Sequence, residues 1–546
     1  MSALSVEYLM WSLVISILRF VLRIHFYIAH QAFTLWNKTK KRVIVPKPID
    51  DDLSRLLLIS AQQAAGLIRS GEISSKDLVE AYIRRIHHVN KVINAVVEVN
   101  FEEALILAKN IDDMIATMDP NSDEFRRLES EKPLLGVPFT AKDTIRIKGM
   151  KTTGGLVVLK DAPVNEVDAD VVHRLKEAGA IALAISNVPE AGLAWETVNK
   201  VFGRSNNPYD TRLTCGGSCG GETALLASCA SVIGIGSDLG GSLRIPANFC
   251  GVFGLKPTAQ VVSTAGHLPE VFPGYLEKMI SLGPLVRYAG DLQLMLKVMV
   301  GPEMSQKLKL DKPVNLRKIR VFYMRGLDAI TAAPLDVDCQ NALQRAVKYF
   351  AKKYDTSVYS VDFPIAHYAL DIISTSMHVG EPGCSVANSL AGFKENERVH
   401  LLPELIRWLF GRSTHTAAAL MAMICDEAPE VFRPNADFVI SKREQLKREV
   451  TELLTENTIL LAPSLTRPQF YHNEPLFSPF DFQYTAIWNV LGLPVVAVPM
   501  GLNNKGLPTG IQIVGGPKSE ALLIAVAKDL EEGFGGWTIP SHDNYY

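Results

Sequence analysis

Cysteine is scarce in this chain and badly placed for bonding. Seven occur in 546 residues, at positions 215, 219, 229, 250, 339, 384 and 425. The number is odd and no C-x-x-C pair exists, which speaks against a disulfide framework and against a zinc finger. Buried free thiols in a reducing compartment are expected instead. No H-E-x-x-H motif occurs among the twelve histidines. His87 and His88 are adjacent on a helical segment, so they point about 100° apart and do not share a metal. Excess charge of one sign is missing too, with 56 Lys and Arg against 58 Asp and Glu. A nucleic-acid surface needs clustered positive charge, so no nucleic-acid partner is expected. Internal repeats and low-complexity tracts are absent, which excludes a solenoid. No metal and no cofactor is implied.

What the chain has is apolar residues, 47% of the total, enough for a large core. Length alone allows two to four domains. Residues 8–36, "YLMWSLVISILRFVLRIHFYIAHQAFTLW", form a long apolar run broken by Arg19, Arg23, His25 and His30. It lacks the leading charge and the small-residue cleavage site of a secretory signal. On a helical wheel Ser12, Ser16, Arg19, Arg23, Tyr27, His30, Thr34 and Asn37 fall into one polar stripe. Such a helix either spans a bilayer with the stripe against a partner, or lies in the interface with its arginines in water. A core helix of a soluble protein is the plain alternative. The flanking "NKTKKR" (37–42) suits anionic headgroups. Residues 1–36 are therefore expected to form a membrane-associated helix.

Residues 37–59, with "VPKPIDDD" inside them, are expected to be a basic, proline-containing linker. From residue 60 to 546 a single catalytic domain is expected. One helix ends at Gly71, and a second begins behind a capping box of Ser74 and Asp77. Another is expected over residues 170–180. Between the helices lie strand-like runs at 93–99, 181–186, 231–238, 319–324, 458–464, 495–500 and 510–515. Alternation of this kind predicts an α/β fold, a large mixed and mostly parallel twisted sheet flanked by helices.

The stretch "TCGGSCGGET" (214–223) fits three familiar patterns poorly. Gly216 to Gly220 matches G-x-S-x-G, but a nucleophile elbow needs a strand before it, and residues 206–214 read as turn. Gly216 to Gly221 has the spacing of a phosphate loop, but Glu222 replaces the lysine and would repel phosphate. Cys219 as a nucleophile lacks a histidine nearby in sequence. Taken alone, the stretch reads as a pair of glycine turns.

Its surroundings change the reading. Twenty-four residues after Ser218, Ser242 sits in "GSDLGGSLRIPANFCGVFGLKPT" (236–258), and upstream "LLGVPFTAKDTI" (134–145) carries Lys142. These three elements in this order resemble the amidase signature family. "NVLGLPVVAVPMG" (489–501) and "GLPTGIQIVGGP" (506–517) resemble its closing strands. The N-terminal helix, "GRSNNPYD" (203–210) and the "FGGW" ending resemble the fatty-acid amide hydrolase branch of that family.

The resemblance implies a catalytic group of Ser242 as nucleophile, Ser218 as a bridging serine in a cis peptide, and Lys142 as base. Chemistry agrees with that allocation. A serine hydroxyl needs a neighbouring base, a lysine accepts a proton only when neutral, and a hydroxyl between them can donate and accept together. The amides of Leu239, Gly240, Gly241 and Ser242 would form an oxyanion hole. Asp238 and Arg244 read as a structural ion pair. Cys219 and Thr223 depart from the small residues usual at those positions.

By the same resemblance the reaction is hydrolysis of fatty-acid primary amides or N-acyl amines, and Gly192, Leu193 and Ala194 line the substrate pocket. The apolar segment 401–424 falls where that branch carries a membrane-capping helix pair; an ordinary buried pair is the alternative. A lipid amide substrate, a membrane bilayer and a homodimer are the implied partners, with an endomembrane or lipid droplet as the location. Rival readings are a glutamine-amide amidotransferase subunit, an amidase or esterase of other small acyl substrates, and a non-catalytic lipid-binding member.

Overall fold

The apolar runs become strands, and most of them join one sheet. The computed structural model describes residues 3–48, 51–270, 272, 274–378, 385–394, 396–427 and 435–541, and side chains of the first helix from residue 15 onward. Cys384 lies outside the described residues. In chain order the strands are β1 (Val96–Val99), β2 (Pro138–Lys142), β3 (Ile181–Ser186), β4 (Val198–Asn199), β5 (Gly203–Arg204), β6 (Asn206–Asn207), β7 (Asp210–Thr214), β8 (Ile233–Asp238), β9 (Phe253–Lys256), β10 (Ser281–Val286), β11 (Arg320–Tyr323), β12 (Val358–Ser360), β13 (Thr458–Pro463), β14 (Val495–Leu502) and β15 (Pro508–Gly515). Eleven form a sheet in the order β1-β3-β2-β8-β10-β9-β14-β15-β13-β11-β12, and β4–β5 and β6–β7 are two-stranded ribbons.

The sheet is mixed, but it is not mostly parallel. Parallel pairing is confined to β3-β2-β8 and β13-β11-β12. Every other neighbouring pair, six of the ten, is antiparallel. The connections explain this. The helices Asp170–Glu177 and Val337–Tyr354 carry the chain over the sheet from β2 to β3 and from β11 to β12, which permits parallel strands. Strands β14 and β15 are joined by a tight turn in which Asn503 Oδ1 accepts from the Lys505 and Leu507 amides, and strands so joined must be antiparallel. Strands β2, β3, β8, β9, β10, β13 and β15 are buried along their whole length, so both faces of the sheet are covered.

Helix starts combine local caps with carboxylates brought in by the fold, as where Asp291 accepts from the Ala61 and Gln62 amides. The reciprocal capping box is at Ser60 and Gln63, ahead of the helix Ala61–Arg69. At the helix Ser75–Ile93, Ser74 accepts from the Asp77 amide, but the second half of the box is missing. Asp112, from the helix Phe101–Thr117, caps this end instead: its carboxylate accepts from the Ser75 and Lys76 amides at 2.7 and 3.0 Å and from the Ser74 hydroxyl.

Within the expected linker over 37–59, described residues pack on the protein body. Val45 donates its amide to Pro208 O, Val43 O accepts from Thr211, and Ile44, Val45 and Leu57 are buried. This segment lies along the β6–β7 ribbon. The ribbon itself corrects the expectation of a turn over 206–214, because β7 directly precedes the glycine stretch. β7 pairs with β6 and, through Leu213, bridges to Tyr471, outside the main sheet.

The first helix runs over Ala3–Lys38. Part of its polar stripe, Arg19, His30 and Asn37, meets the protein body, whereas Arg23 and Tyr27 are exposed. Arg19 pairs with Asp328 at 3.3 Å, His30 Nδ1 meets Glu474 at 2.7 Å, and Asn37 is buried with its carbonyl accepting from Arg212. The carboxylates on the body give the stripe its partners, so the apolar side turns outward: Ile17, Phe20, Val21, Ile28, Leu35 and Trp36 are each more than half exposed. Among the described residues no helix is long and apolar enough to cross a membrane. The spanning reading is therefore withdrawn. Segment 401–424 forms two helices, Leu401–Leu409 and Ala417–Asp426. The first exposes Leu402, Ile406, Trp408 and Leu409, and the second buries Ala419, Leu420 and Met423. Cys425 is exposed, contrary to the expectation of buried thiols, while Cys215, Cys219, Cys229, Cys250 and Cys339 are buried.

Candidate active site

Strands β2 and β8 are parallel neighbours, with Ala141 opposite Ile235. Their carboxyl ends therefore bring Lys142 and Ser237 side by side, at the edge of the sheet where α/β proteins place ligands. Lys142 Nζ lies 2.7 Å from Ser218 Oγ, 2.9 Å from Ser237 Oγ and 3.3 Å from Ser237 O. Lys142 is 2% exposed and Ser218 1%. The Gly217–Ser218 peptide is cis. Gly217 is required here by close approach: a side-chain carbon on it would stand 2.7 Å from Ala194 O.

Ser242 is only half buried, in the loop that follows β8. Its carbonyl accepts from the Cys219 amide at 3.2 Å, which holds the two serine loops against each other. The loop is shaped by a buried ion pair. Asp238 and Arg244 are both fully buried, and Arg244 grips the carboxylate with two hydrogen bonds of 3.0 Å. Asn489 donates to the same carboxylate, and Arg244 also reaches Thr485 O and Gln512 Oε1. Burial alone would raise the Asp238 pKa, but Arg244 outweighs it and holds the carboxyl well below the usual range.

That carboxylate also takes backbone amides, from Gly241 at 2.7 Å and Leu243 at 3.1 Å. Of the four amides expected in an oxyanion hole, that of Gly241 is bonded to Asp238 in this structure. Leu239, Gly240 and Ser242 remain as candidate donors. Gly241 still has to be glycine, since its φ is +129° and a side-chain carbon would meet Thr485 Oγ1.

The other expected residues also lie close. A carbon on Gly192, whose φ is +71°, would sit 3.5 Å from Ser218 Oγ and 4.0 Å from Lys142 Nζ. Leu193 packs on an apolar cluster of Leu156, Ala387, Leu390, Ala419 and Met423, which leads to the helix pair over 401–426. Cys219 is wholly buried, and burial pushes its thiol up to about 11, so it is no nucleophile. Its Sγ lies beside Gly236, where a side-chain carbon would come within 2.6 Å. Glu222, placed where a phosphate loop has lysine, is buried and bonded by Thr140 and Ser186; burial raises its pKa to about 7. Asp143 is bonded by Thr153 and Gly155, and burial raises it to about 6.

Two residues of this site carry no signal in the sequence. Ser237 precedes the Asp238 motif without distinction, and His267 lies in the loop after β9. His267 Nε2 is 2.9 Å from Ser237 Oγ, and its Nδ1 is 3.2 Å from Pro269 O. No local pattern could have found a contact across thirty residues of chain. Among the described residues no group of three or more His, Cys, Asp and Glu is gathered for a metal.

The family model described as Amidase matches residues 77–524. The chain belongs to the amidase signature family. Within the family it is 38% identical to fatty-acid amide hydrolase 2 of Homo sapiens over 500 residues, 91% of this chain and 92% of that one. Fatty-acid amide hydrolase 2-B of Danio rerio is also 38% identical, over 93% of this chain and 95% of its own length. The solved structure of a fatty acid amide hydrolase superposes with a TM-score of 0.68 at 20% identity, covering 89% of this chain and 87% of that one. The last likeness is one of fold.

Proposed function

We propose that this amidase hydrolyses fatty-acid primary amides or N-acyl amines to fatty acid and amine through an acyl-enzyme on Ser242. The observation that carries the reading is the 2.7 Å contact of Lys142 with Ser218, out of water and beside the half-buried Ser242. The likeness to proteins named fatty-acid amide hydrolase 2 supports the acyl class. Leu193 and its cluster offer an apolar path for the chain of the substrate.

Ser242 Oγ attacks the amide carbon while its proton passes to Ser218, and the Ser218 proton passes to neutral Lys142. The oxyanion is held by the amides of Leu239, Gly240 and Ser242, each donor typically worth about 2.7–4 kcal/mol in the transition state. The proton on Lys142 returns through Ser218 to the leaving nitrogen, and the C–N bond breaks. Water then attacks the ester with the same group as base, releasing the acid and restoring Ser242.

The enzyme works as a monotopic protein at an endomembrane or lipid-droplet surface. The outward side of the first helix supports this, as does the first helix of the 401–426 pair. Both the first helix and the helix Ala417–Asp426 pack against the segment Glu474–Phe477, which places the two apolar elements near each other.

Fluorophosphonate labelling with peptide mass mapping tests the catalytic part. An adduct on Ser242 that disappears in Lys142→Ala, together with hydrolysis of a long-chain primary amide, is the expected result. An adduct on Ser218, or folded protein that neither labels nor hydrolyses, would overturn it.

A further inference from the structure

Lys142 has three partners in the site, and their polarity decides where its lone pair points. Ser237 O can only accept, so one N–H of Lys142 is directed to it at 3.3 Å. Ser237 Oγ, at 2.9 Å, can accept from the lysine or donate to it. In the second case the lone pair of a neutral lysine would be spent on Ser237, and Ser218 would have no base. The outcome depends on what else holds the Ser237 hydroxyl proton.

That holder is His267, which is 4% exposed. Pro269 O can only accept, so Nδ1 at 3.2 Å carries the ring proton. Burial holds its pKa well below the ordinary imidazole value, so the ring is neutral and Nε2 is bare. Nε2 lies 2.9 Å from Ser237 Oγ and takes its proton. Ser237 Oγ must then accept from Lys142. With two N–H groups pointed at Ser237 O and Oγ, the remaining tetrahedral position of a neutral amine faces Ser218 Oγ at 2.7 Å. The titratable and charged groups around this chain are Lys142 and Asp143 at the end of β2, Arg146 beyond them, Cys219 from the glycine stretch, and Asp238 beside Ser237. Cys219 Sγ donates to Ser237 O and leaves the hydroxyl alone.

We propose that His267 is a positioning residue for this amidase: through Ser237 it fixes the direction of the hydrogen bonds around Lys142 and reserves the lysine lone pair for Ser218. The inference rests on the reading of Lys142 as base. His267 touches no substrate, and it gains and loses no proton during turnover.

The test compares His267→Leu, His267→Gln and Ser237→Ala by kcat, KM and the pH dependence of kcat/KM on a long-chain primary amide. His267→Leu removes the acceptor. It is expected to lower kcat about 10- to 100-fold, short of the roughly 10²–10⁴ that general acid–base transfer supplies, with KM little changed. The shape of the kcat/KM pH profile is expected to change with it. His267→Gln, whose side-chain carbonyl can accept from Ser237, is expected to recover activity to within about threefold. Ser237→Ala is expected to lose as much as His267→Leu, and the double variant no more than either one, because they act in series. Should His267→Leu not fold, the pH profile of Ser237→Ala carries the test. A folded His267→Leu with the kcat and pH profile of the unaltered protein would overturn the inference, as would additive losses in the double variant. Failure of the unaltered protein to label on Ser242 would instead overturn the amidase reading, so the two failures are distinguishable.

Discussion

Lys142 Nζ stands 2.7 Å from Ser218 Oγ at the buried end of β2, and neither side chain is more than 2% exposed. Lys142→Ala leaves Ser218 with no acceptor for its proton. A loss of about 10²–10⁴ in kcat/KM is expected. The loss should hold across the pH range, because the base itself is gone. Steady-state rates between pH 6 and 10 on one amide decide it.

Asp238 and Arg244 bind each other with no exposure to water, and Asp238 also holds the Gly241 and Leu243 amides. Asp238→Ala leaves a buried guanidinium without its counter-charge, so a destabilisation of about 3–5 kcal/mol is expected in urea unfolding. Because the Asp238 pKa is lowered, its contribution is present above the ordinary carboxylate range and fades as pH falls toward the folded value. A variant as stable as the parent would show that the ion pair does not shape the loop.

Glu222 acts in the opposite direction. Its pKa is raised from 4.5 to about 7, so the folded protein keeps a proton that the unfolded chain releases. Stability therefore falls as pH rises through that interval, and Asp143, raised to about 6, adds to the slope. Glu222→Gln should flatten the slope, gaining about 1 kcal/mol or more over the parent between pH 5 and pH 8. Parallel denaturant curves across that range measure it; an unchanged difference between the two proteins would refute the assignment.

Leu193 and Met423 share the apolar cluster that leads from Ser218 to the helix pair. Met423→Trp narrows that path. Excluding two methylenes of the acyl chain loses about 1.6 kcal/mol, roughly fifteenfold, so the kcat/KM ratio of long- to short-chain amides should fall by that order. A ratio that stays constant would place the acyl chain elsewhere.

Phe20 and Ile28 are 65% and 59% exposed on the outer side of the first helix. Replacing both by serine removes two large apolar groups, each worth about 1.5–3 kcal/mol when buried. Partitioning onto anionic phospholipid vesicles should fall more than a hundredfold in flotation assays. Equal binding by parent and variant would mean that this side does not meet the bilayer.

Much of the molecule was legible in advance because the properties concerned are local. Strand β3 falls on the expected residues 181–186, since an uninterrupted apolar run bounded by a helix end is a property of those residues themselves. The order of Lys142, Ser218 and Ser242 motifs identified the family for the same reason. The polar stripe of the first helix was visible as periodicity, but its direction was not. Arg19 and His30 face inward because Asp328 and Glu474 wait more than three hundred residues away. The majority of antiparallel pairs, the Asp112 cap on the Ser75 helix, the capture of the Gly241 amide by Asp238 and the approach of His267 to Ser237 likewise depend on groups distant in the chain. The sequence by itself determined many of the helix and strand segments, though not the β6–β7 ribbon, and which side chains can do chemistry, because neighbours along the chain set much of backbone conformation and polarity. Only the tertiary structure decided strand sense, which oxyanion donors are free and which way protons are held around Lys142, because a hydrogen bond takes its direction from both partners, and here the partners meet only in the fold.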